Sequence, residues 1–159
     1  MNAVAMANRE LGLTVFALDI YGQVDSAQIE WFDELQSKFP SYIRYAGLVP
    51  FDKSVDVLKE YFALLFPTYY EGEGFAGTLI DAFSAGVPVI ASDWKYNTEI
   101  VNGNVGFVYP AEDVQAFVQV LKMIALHPPT VLFKKRQCLQ EVSKYSVKIT
   151  VESLIGRIE

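Results

Sequence analysis

Cysteine and histidine are almost missing from this sequence, which holds one of each among its 159 residues. The lone cysteine, Cys138, excludes an internal disulfide and a multi-cysteine metal site. An unpaired thiol suits a reducing compartment. The lone histidine, His127, stands before Pro128-Pro129, far along the chain from any acidic loop. It reads as a loop residue, and no Gly-x-Ser-x-Gly elbow accompanies it, so a serine-hydrolase triad is excluded. No stretch reaches the ~20 apolar residues that crossing a bilayer requires. The opening Met1-Asn2-Ala3-Val4 lacks the basic and apolar regions of a signal peptide, and the expected location is cytoplasmic.

Basic residues are also scarce, 13 against 19 acidic ones, for a net charge of −6. Residues 1–129 carry only 7 Lys+Arg against 16 Asp+Glu, a poor footprint for nucleic acid. The last 30 residues reverse the balance with Lys134, Lys135, Arg136, Lys144, Lys148 and Arg157. That basic tail reads as the solvated face of two closing helices. The competing reading is peripheral contact with anionic lipid or with another domain.

What is present is ample apolar material: 52 % hydrophobic and 14 % aromatic residues, enough for the core of a single domain over 1–159. Short β-type runs alternate with helical patterns. Helices are expected at about 2–11, 25–38, 54–60 and 75–85, with a short one opening at Asn97 or Thr98 and two more in the last third. Asp25 with Gln28 reads as a capping box, and Asp52 or Ser54 as the cap of the third helix. Strands are expected at 14–21, 41–45, 63–66, 87–91 and 106–109. The stripe Val114, Phe117, Val118, Leu121, Ile124 has helical spacing, and so does Val147, Val151, Leu154, Ile155, Ile158. The alternation predicts a three-layer α/β/α, Rossmann-like, doubly wound parallel sheet. Ligands of such sheets bind beyond the carboxyl ends of the strands.

The segment 66–91 carries the chemistry. A strand ends at Phe66, an acidic glycine-rich loop follows (Tyr69-Tyr70-Glu71-Gly72-Glu73-Gly74), and a helix is expected to open near Phe75. The amides of Phe75, Ala76, Gly77 and Thr78 would lie in its first turn without intrahelical acceptors, a site suited to phosphate. Glu73 and Asp81 are eight residues apart, roughly 12 Å along a helix, about the reach of a nucleoside diphosphate-sugar from ribose to sugar ring. On that reading Asp81 accepts from the ribose diol and Glu73 lies beside the sugar. Spacing alone leaves a second reading equally open: Glu73 as an acid favouring a helix N-terminus and Asp81 as a surface residue. Trp94 or Tyr96 are candidates to line a sugar pocket, Lys95 to meet a phosphate, and Glu71 to be solvated.

The stretch from Pro67-Thr68 through Glu73, Asp81 and Ala85-Gly86-Val87-Pro88-Val89-Ile90-Ala91 resembles the signature region of retaining GT-B glycosyltransferases of family 4, the group 1 transferases. That family reads Pro-Ser or Pro-Thr, an acidic glycine-rich loop, Glu-x7-Glu, then Ala-x-x-x-Gly-x-Pro-Val-Ile-Ala. Thr98-Glu99-Ile100-Val101 and Asn102-Gly103-Asn104-Val105-Gly106-Phe107 resemble its tail. The resemblance covers nearly the whole chain and implies the C-terminal, donor-binding half of a GT-B fold.

By position, it assigns Glu73 as the catalytic-site acid beside the donor sugar and Asp81 as the ribose acceptor. Phe75, Ala76, Gly77 and Thr78 would be diphosphate and sugar contacts, and Gly47, Leu48 and Val49 the backbone that meets the base. The ligand it implies is a nucleotide-diphosphate sugar, with no cofactor; the sequence has no Asp-x-Asp signature, so no metal is expected. Asp81 stands where the family has Glu. The family's opening strand, with the Arg and Lys that neutralise the diphosphate, has no counterpart here, nor has the acceptor-binding domain. The expected partners are therefore the nucleotide sugar and an N-terminal acceptor domain or partner chain. Weak donor binding and no turnover are expected of this chain alone. Without the opening strand, the sheet is expected either to close up in the order 2-1-3-4-5 or to remain loose, or to dimerise over an exposed edge. Two competing functions are a non-catalytic nucleotide-binding or assembly module and an unrelated flavodoxin-like binder, for which Asp19 and Asp93 lie near strand ends without a companion lysine.

Overall fold

The computed structural model describes residues 1–146; the expected helical stripe from Val147 to Ile158 lies outside them. Helices and parallel strands alternate as expected. The chain runs α1 (Asn2–Leu11), β1 (Leu18–Tyr21), α2 (Ile29–Gln36), β2 (Ile43–Gly47), α3 (Ser54–Leu58), β3 (Leu64–Phe66) and α4 (Gly77–Ser84). It continues through β4 (Val89–Ser92), α5 (Asn97–Ile100), β5 (Gly106–Tyr109), α6 (Val114–Leu126) and α7 (Pro129–Glu141).

Local chemistry explains most boundaries. Gly12 ends α1 in the left-handed conformation, at φ 74°, that a glycine adopts without steric cost. Asp25 Oδ1 accepts from the Ala27 amide at 2.8 Å, but the segment opens as a 3-10 turn before α2, and no Gln28 side chain completes the box. Asp113 caps α6 by accepting from the Ala116 amide at 2.8 Å. Pro129 starts α7, where its missing N–H costs nothing.

Val89–Ser92 of β4 is buried on every residue, because helices cover both of its faces. Side chains alternate across a strand, and the core divides accordingly. Val89 and Ala91 join Leu79, Phe83, Val101 and Cys138 on the side of α4 and α7. Ile90 joins Val4, Ala7, Phe117, Leu121 and Ile124 on the side of α1 and α6. Tyr109 stacks on Phe117 with centroids 4.5 Å apart, and Lys122 pairs with Glu10 at 2.7 Å to tie α6 to α1.

Of the outcomes expected for a sheet without the opening strand, closure in the order 2-1-3-4-5 is not found and the open sheet is. It forms two separate parallel pieces, β1-β2 and β3-β4-β5, and β1 does not pair with β3. α1, which leads into β1, packs on α6. Asn8 reinforces the placement: its buried side chain accepts from the Val15 and Phe16 amides at 3.0 and 2.9 Å and donates to the Phe16 carbonyl at 2.9 Å, fixing the turn from α1 into β1. No single helix among the described residues is long and apolar enough to cross a membrane.

Candidate functional site

The carboxyl ends of β2 and β3 open onto one cavity of about 1470 Å³. Its upper wall is the connection after β2, where Leu48 and Val49 lead into a 3-10 turn at Phe51 and then Ser54 of α3. The opposite wall is the start of α4, with Phe75, Gly77, Thr78, Ile80 and Asp81. Leu48 and Phe51 are strongly exposed, 67 % and 95 %, so the cavity has an apolar shelf on its rim.

The acidic loop that delivers α4 is anchored from the neighbouring β4–α5 loop. Ser92 Oγ donates to the Thr68 carbonyl at 2.5 Å, and Trp94 Nε1 donates to the Tyr70 carbonyl at 2.8 Å. Lys95 pairs with Glu71 at 2.9 Å. Glu71 is solvated as expected, its side chain mostly exposed while it pairs with Lys95, and Lys95 is engaged with it rather than with a phosphate site. Trp94 and Lys95 serve as ties for the loop.

α4 begins later than expected. Ala76 is extended, with φ −80° and ψ 99°, and acts as the N-cap; Phe75 lies outside the helix. The first helical amides are therefore those of Gly77 and Thr78. By position they have no intrahelical acceptor, and no side chain caps them. Together with the helix dipole they form an anion-attracting surface. The Leu79 amide donates back to the Ala76 carbonyl at 3.0 Å.

Of the nine predicted site residues, Leu48, Val49, Phe75, Gly77, Thr78 and Asp81 line the cavity. Gly47, Glu73 and Ala76 do not. Gly47 closes β2 at φ 81°, and its carbonyl accepts from the Gly22 amide at 3.0 Å, turning it toward β1. Ala76 is buried under the helix start. Glu73 is held within its own loop, where Thr68 Oγ1 donates to Oε2 at 3.0 Å. Asp81 is held across the cavity wall, where Ser54 Oγ donates to Oδ2 at 2.6 Å. Ser54, read in the sequence as a helix cap, makes no capping bond and instead orients this carboxylate. Phe51 and Tyr145 were not singled out by sequence; Thr68 entered only as the Pro-Thr that opens the family pattern, with no role assigned to it.

A second polar group borders the cavity. Asp19 of β1 accepts from Arg44 of β2 at 2.5 and 3.1 Å and from Tyr61 at 2.6 Å, which hold its carboxyl below the usual range. Tyr61 also shares a 2.7 Å hydrogen bond with Tyr21, and desolvation with these bonds raises its pKa. Asp93 accepts from the Ala111 amide at 2.6 Å on a different loop, so Asp19 and Asp93 form no joint acidic site. No lysine or arginine among the described residues lines the cavity.

Residues 2–126 match the family described as glycosyl transferases group 1. The chain belongs to that family. A curated relative, the D-rhamnosyltransferase WbpZ of Pseudomonas aeruginosa, is 28 % identical over 88 residues, covering 54 % of this chain and 23 % of the relative. Among solved structures, HepE of Anabaena in complex with UDP and glucose superposes with a TM-score of 0.80 at 14 % identity, over 99 % of this chain and 44 % of that one. The pneumococcal O-GlcNAc transferase GtfA, in complex with UDP and GlcNAc, gives 0.70 at 24 % identity, over 98 % of this chain and 31 % of that one. At these identities the structural likeness establishes the fold: this group 1 glycosyltransferase chain is a Rossmann-like α/β half of a GT-B architecture. It spans less than half the length of each of these relatives.

Proposed function

We propose that this chain binds the donor of a glycosyl transfer, a nucleotide-diphosphate sugar, in the cavity between α3 and α4. The observation that carries the reading is the convergence of three elements on one cleft. The free amides of Gly77 and Thr78 suit a diphosphate, Asp81 suits a ribose diol, and the Leu48–Val49 shelf suits a flat base. UDP in two solved relatives and the rhamnosyltransferase name of a third support a nucleotide-activated hexose.

In the transfer, the bond from the anomeric carbon to the diphosphate oxygen breaks, and an acceptor oxygen bonds the same carbon with retained configuration. The acceptor hydroxyl loses its proton as the diphosphate departs. Stabilising the charge on that leaving group is the main electrostatic task. The α4 amides address it from one side; Glu73, which the resemblance assigns to the sugar end, sits in the loop just outside the cavity lining, bonded to Thr68. The acceptor belongs to the glycan or lipid-linked class, as in polysaccharide assembly.

Among the described residues no lysine or arginine side chain lines the cavity, which favours a second reading alongside the first: a nucleotide-binding module that acts with another chain or with an acceptor domain. For either, the chain alone binds donor weakly and does not turn it over. The test is calorimetric titration of UDP, GDP, ADP and their sugars into the wild type, Glu73→Ala and Asp81→Ala, with circular dichroism to check folding. Both variants are expected to lose affinity for the nucleotide sugar while remaining folded. Unchanged affinity in both would dismiss the site, and sugar transfer by the unaided chain would refute the incomplete-enzyme reading. Activity restored by mixing with an acceptor-domain chain would separate a split enzyme from a purely non-catalytic module.

A further inference from the structure

In the segment 67–75, which carries the acidic loop, every residue is exposed except Thr68 and Glu73, both half-buried. The two meet through one hydrogen bond: Thr68 Oγ1 donates to Glu73 Oε2 at 3.0 Å. The same hydroxyl oxygen accepts from the Tyr70 amide at 3.2 Å, a turn that threonine and serine form with the amide two residues on. That turn accounts for the accepted bond and not for the donated one. A hydroxyl has a single proton to give, and here it goes to the carboxylate. Thr68 is itself fixed from the interior. Its carbonyl accepts from Ser92 Oγ at 2.5 Å, and the Ser92 carbonyl accepts from Asn97 Nδ2 at 3.1 Å. Ser92 and Asn97 are buried, each 2 % exposed, and buried polar side chains are held by such bonds. The far end of the loop is closed as well, because the Tyr70 carbonyl accepts from the Glu73 amide at 3.1 Å and from Trp94 Nε1 at 2.8 Å. A line of donors thus runs from α5, through the last residue of β4, to one oxygen of Glu73. Oε1 of that carboxylate makes no bond among the described residues.

We propose that Thr68 is the positioning residue of Glu73: its hydroxyl holds the carboxylate in one rotamer, ready for a hydroxyl of the donor's sugar, and Ser92 and Asn97 hold Thr68. A glutamate side chain has three torsions to fix when it takes up a ligand, and that ordering opposes binding. A hydrogen bond made beforehand removes part of the loss, which is the general gain from preorganisation. The proposal rests on the donor-binding reading above, in which Glu73 meets the sugar. Thr68 does not line the cavity, so its effect passes through Glu73 and falls on the sugar part of the ligand. A threonine that served the turn alone would act on the whole loop, whatever stood at position 73.

The test is a double-mutant cycle read by calorimetric titration of UDP with UDP-glucose and of GDP with GDP-mannose, using the pair that the wild type binds. Thr68→Val keeps the shape and removes the hydroxyl. It is expected to weaken the nucleotide sugar about fivefold or more, the range for ordering one long side chain, and the bare nucleotide less than about twofold. Thr68→Ser restores the hydroxyl and is expected to match the wild type within about twofold for both ligands. In the Glu73→Ala background, Thr68→Val is expected to change nucleotide-sugar affinity less than about twofold, because nothing remains to be positioned. Where circular dichroism shows the valine variant unfolded, Thr68→Cys, a weaker donor of similar size, takes its place in the cycle. Equal weakening of both ligands, failure of serine to rescue, or the same loss with and without Glu73 would overturn the proposal while leaving Glu73's own effect in place. Tighter sugar binding by Thr68→Val would show that the bond holds Glu73 back, and would overturn it too. A Glu73→Ala protein that binds the nucleotide sugar as the wild type does, or a wild type that binds neither pair, would remove the donor-binding reading and the proposal together.

Discussion

Ser54 Oγ donates a 2.6 Å hydrogen bond to Asp81 Oδ2, joining the first residue of α3 to the middle of α4 across the mouth of the cavity. One carboxylate oxygen is thereby committed to the protein and the other is left for a ligand. If the ribose of a donor is read by Asp81, Ser54 orients the acceptor of that hydrogen bond. Asp81→Ala should then lower nucleotide affinity at least tenfold. Ser54→Ala should lower it two- to fivefold and cost about 1 kcal/mol of stability, the net value of one partly buried hydrogen bond. Calorimetric titration of UDP together with urea unfolding checks both; a Ser54→Ala protein with a larger affinity loss than Asp81→Ala would reverse the assigned roles.

Glu73 differs from Asp81 in that its carboxylate sits off the cavity, bonded to Thr68 at 3.0 Å. A residue at the sugar end affects the sugar-bearing ligand selectively. Glu73→Gln is therefore expected to leave the affinity for the bare nucleotide within twofold and to weaken the corresponding nucleotide sugar about tenfold or more. Parallel titrations of the two ligands measure the split. Equal losses for both would place Glu73 in support of the loop rather than beside the sugar.

Asn8 was legible in the sequence only as one polar residue in a helix. Its buried amide makes three hydrogen bonds to the backbone of Val15 and Phe16. Asn8→Leu would leave those backbone groups unpaired, and a destabilisation of about 2–3 kcal/mol is expected from such a loss. Denaturant midpoints measure it. A variant as stable as the parent would show that water replaces the side chain and that β1 is not held by it.

The alternation of elements, the buried β4 and the stripe of α6 were readable because each depends on local spacing. Tertiary geometry was less so. The start of α4 moved from Phe75 to Gly77 because Ala76 takes an extended conformation that no composition rule predicts. The pairings Ser54–Asp81 and Lys95–Glu71 join residues 27 and 24 positions apart and arise only once the strands are placed. The divided sheet is the plainest case. Each strand's pattern announces a doubly covered strand, and nothing local in Leu18–Tyr21 or Leu64–Phe66 shows that β1 and β3 stay unpaired; only the missing opening strand of the family pattern pointed to a loose sheet.

Burial governs the alkaline limit of stability. The thiol of Cys138, against the Val105 carbonyl at 3.5 Å, is pushed up to about 12, and the Tyr109 phenol, stacked on Phe117, also to about 12, both by desolvation. An acid whose pKa is raised by folding keeps more protons folded than unfolded above its ordinary pKa. Its contribution is complete below that value and is lost as pH rises toward the folded one. Stability should hold to about pH 9 and decline between about pH 9 and 12. Cys138→Ala should flatten part of the decline, and the native thiol should resist a disulfide reagent at pH 8 until denaturant is added. Thermal midpoints across the pH range, with thiol titration, supply the measurement; rapid labelling of the native protein would contradict the burial argument.

Gly106 opens β5 where the backbone of β4 passes closest. A Cβ there would stand 2.2 Å from the Val89 carbonyl oxygen and 2.6 Å from Val101 Cγ1, both fixed in the core. Neither is the free end of a flexible chain, so relief requires moving β4 from β5, and those strands carry the centre of the domain. Gly106→Ala should therefore cost about 3 kcal/mol or more, at the upper end of overpacking effects. Gly103 is a control on the same segment: a Cβ there meets nothing within 4 Å, and Gly103→Ala should stay within about 0.5 kcal/mol of the parent. Urea unfolding of the two variants side by side gives the comparison. Similar stabilities would mean that β4 and β5 separate easily, in which case the three-stranded piece is not the rigid platform on which α4 and its cleft are set.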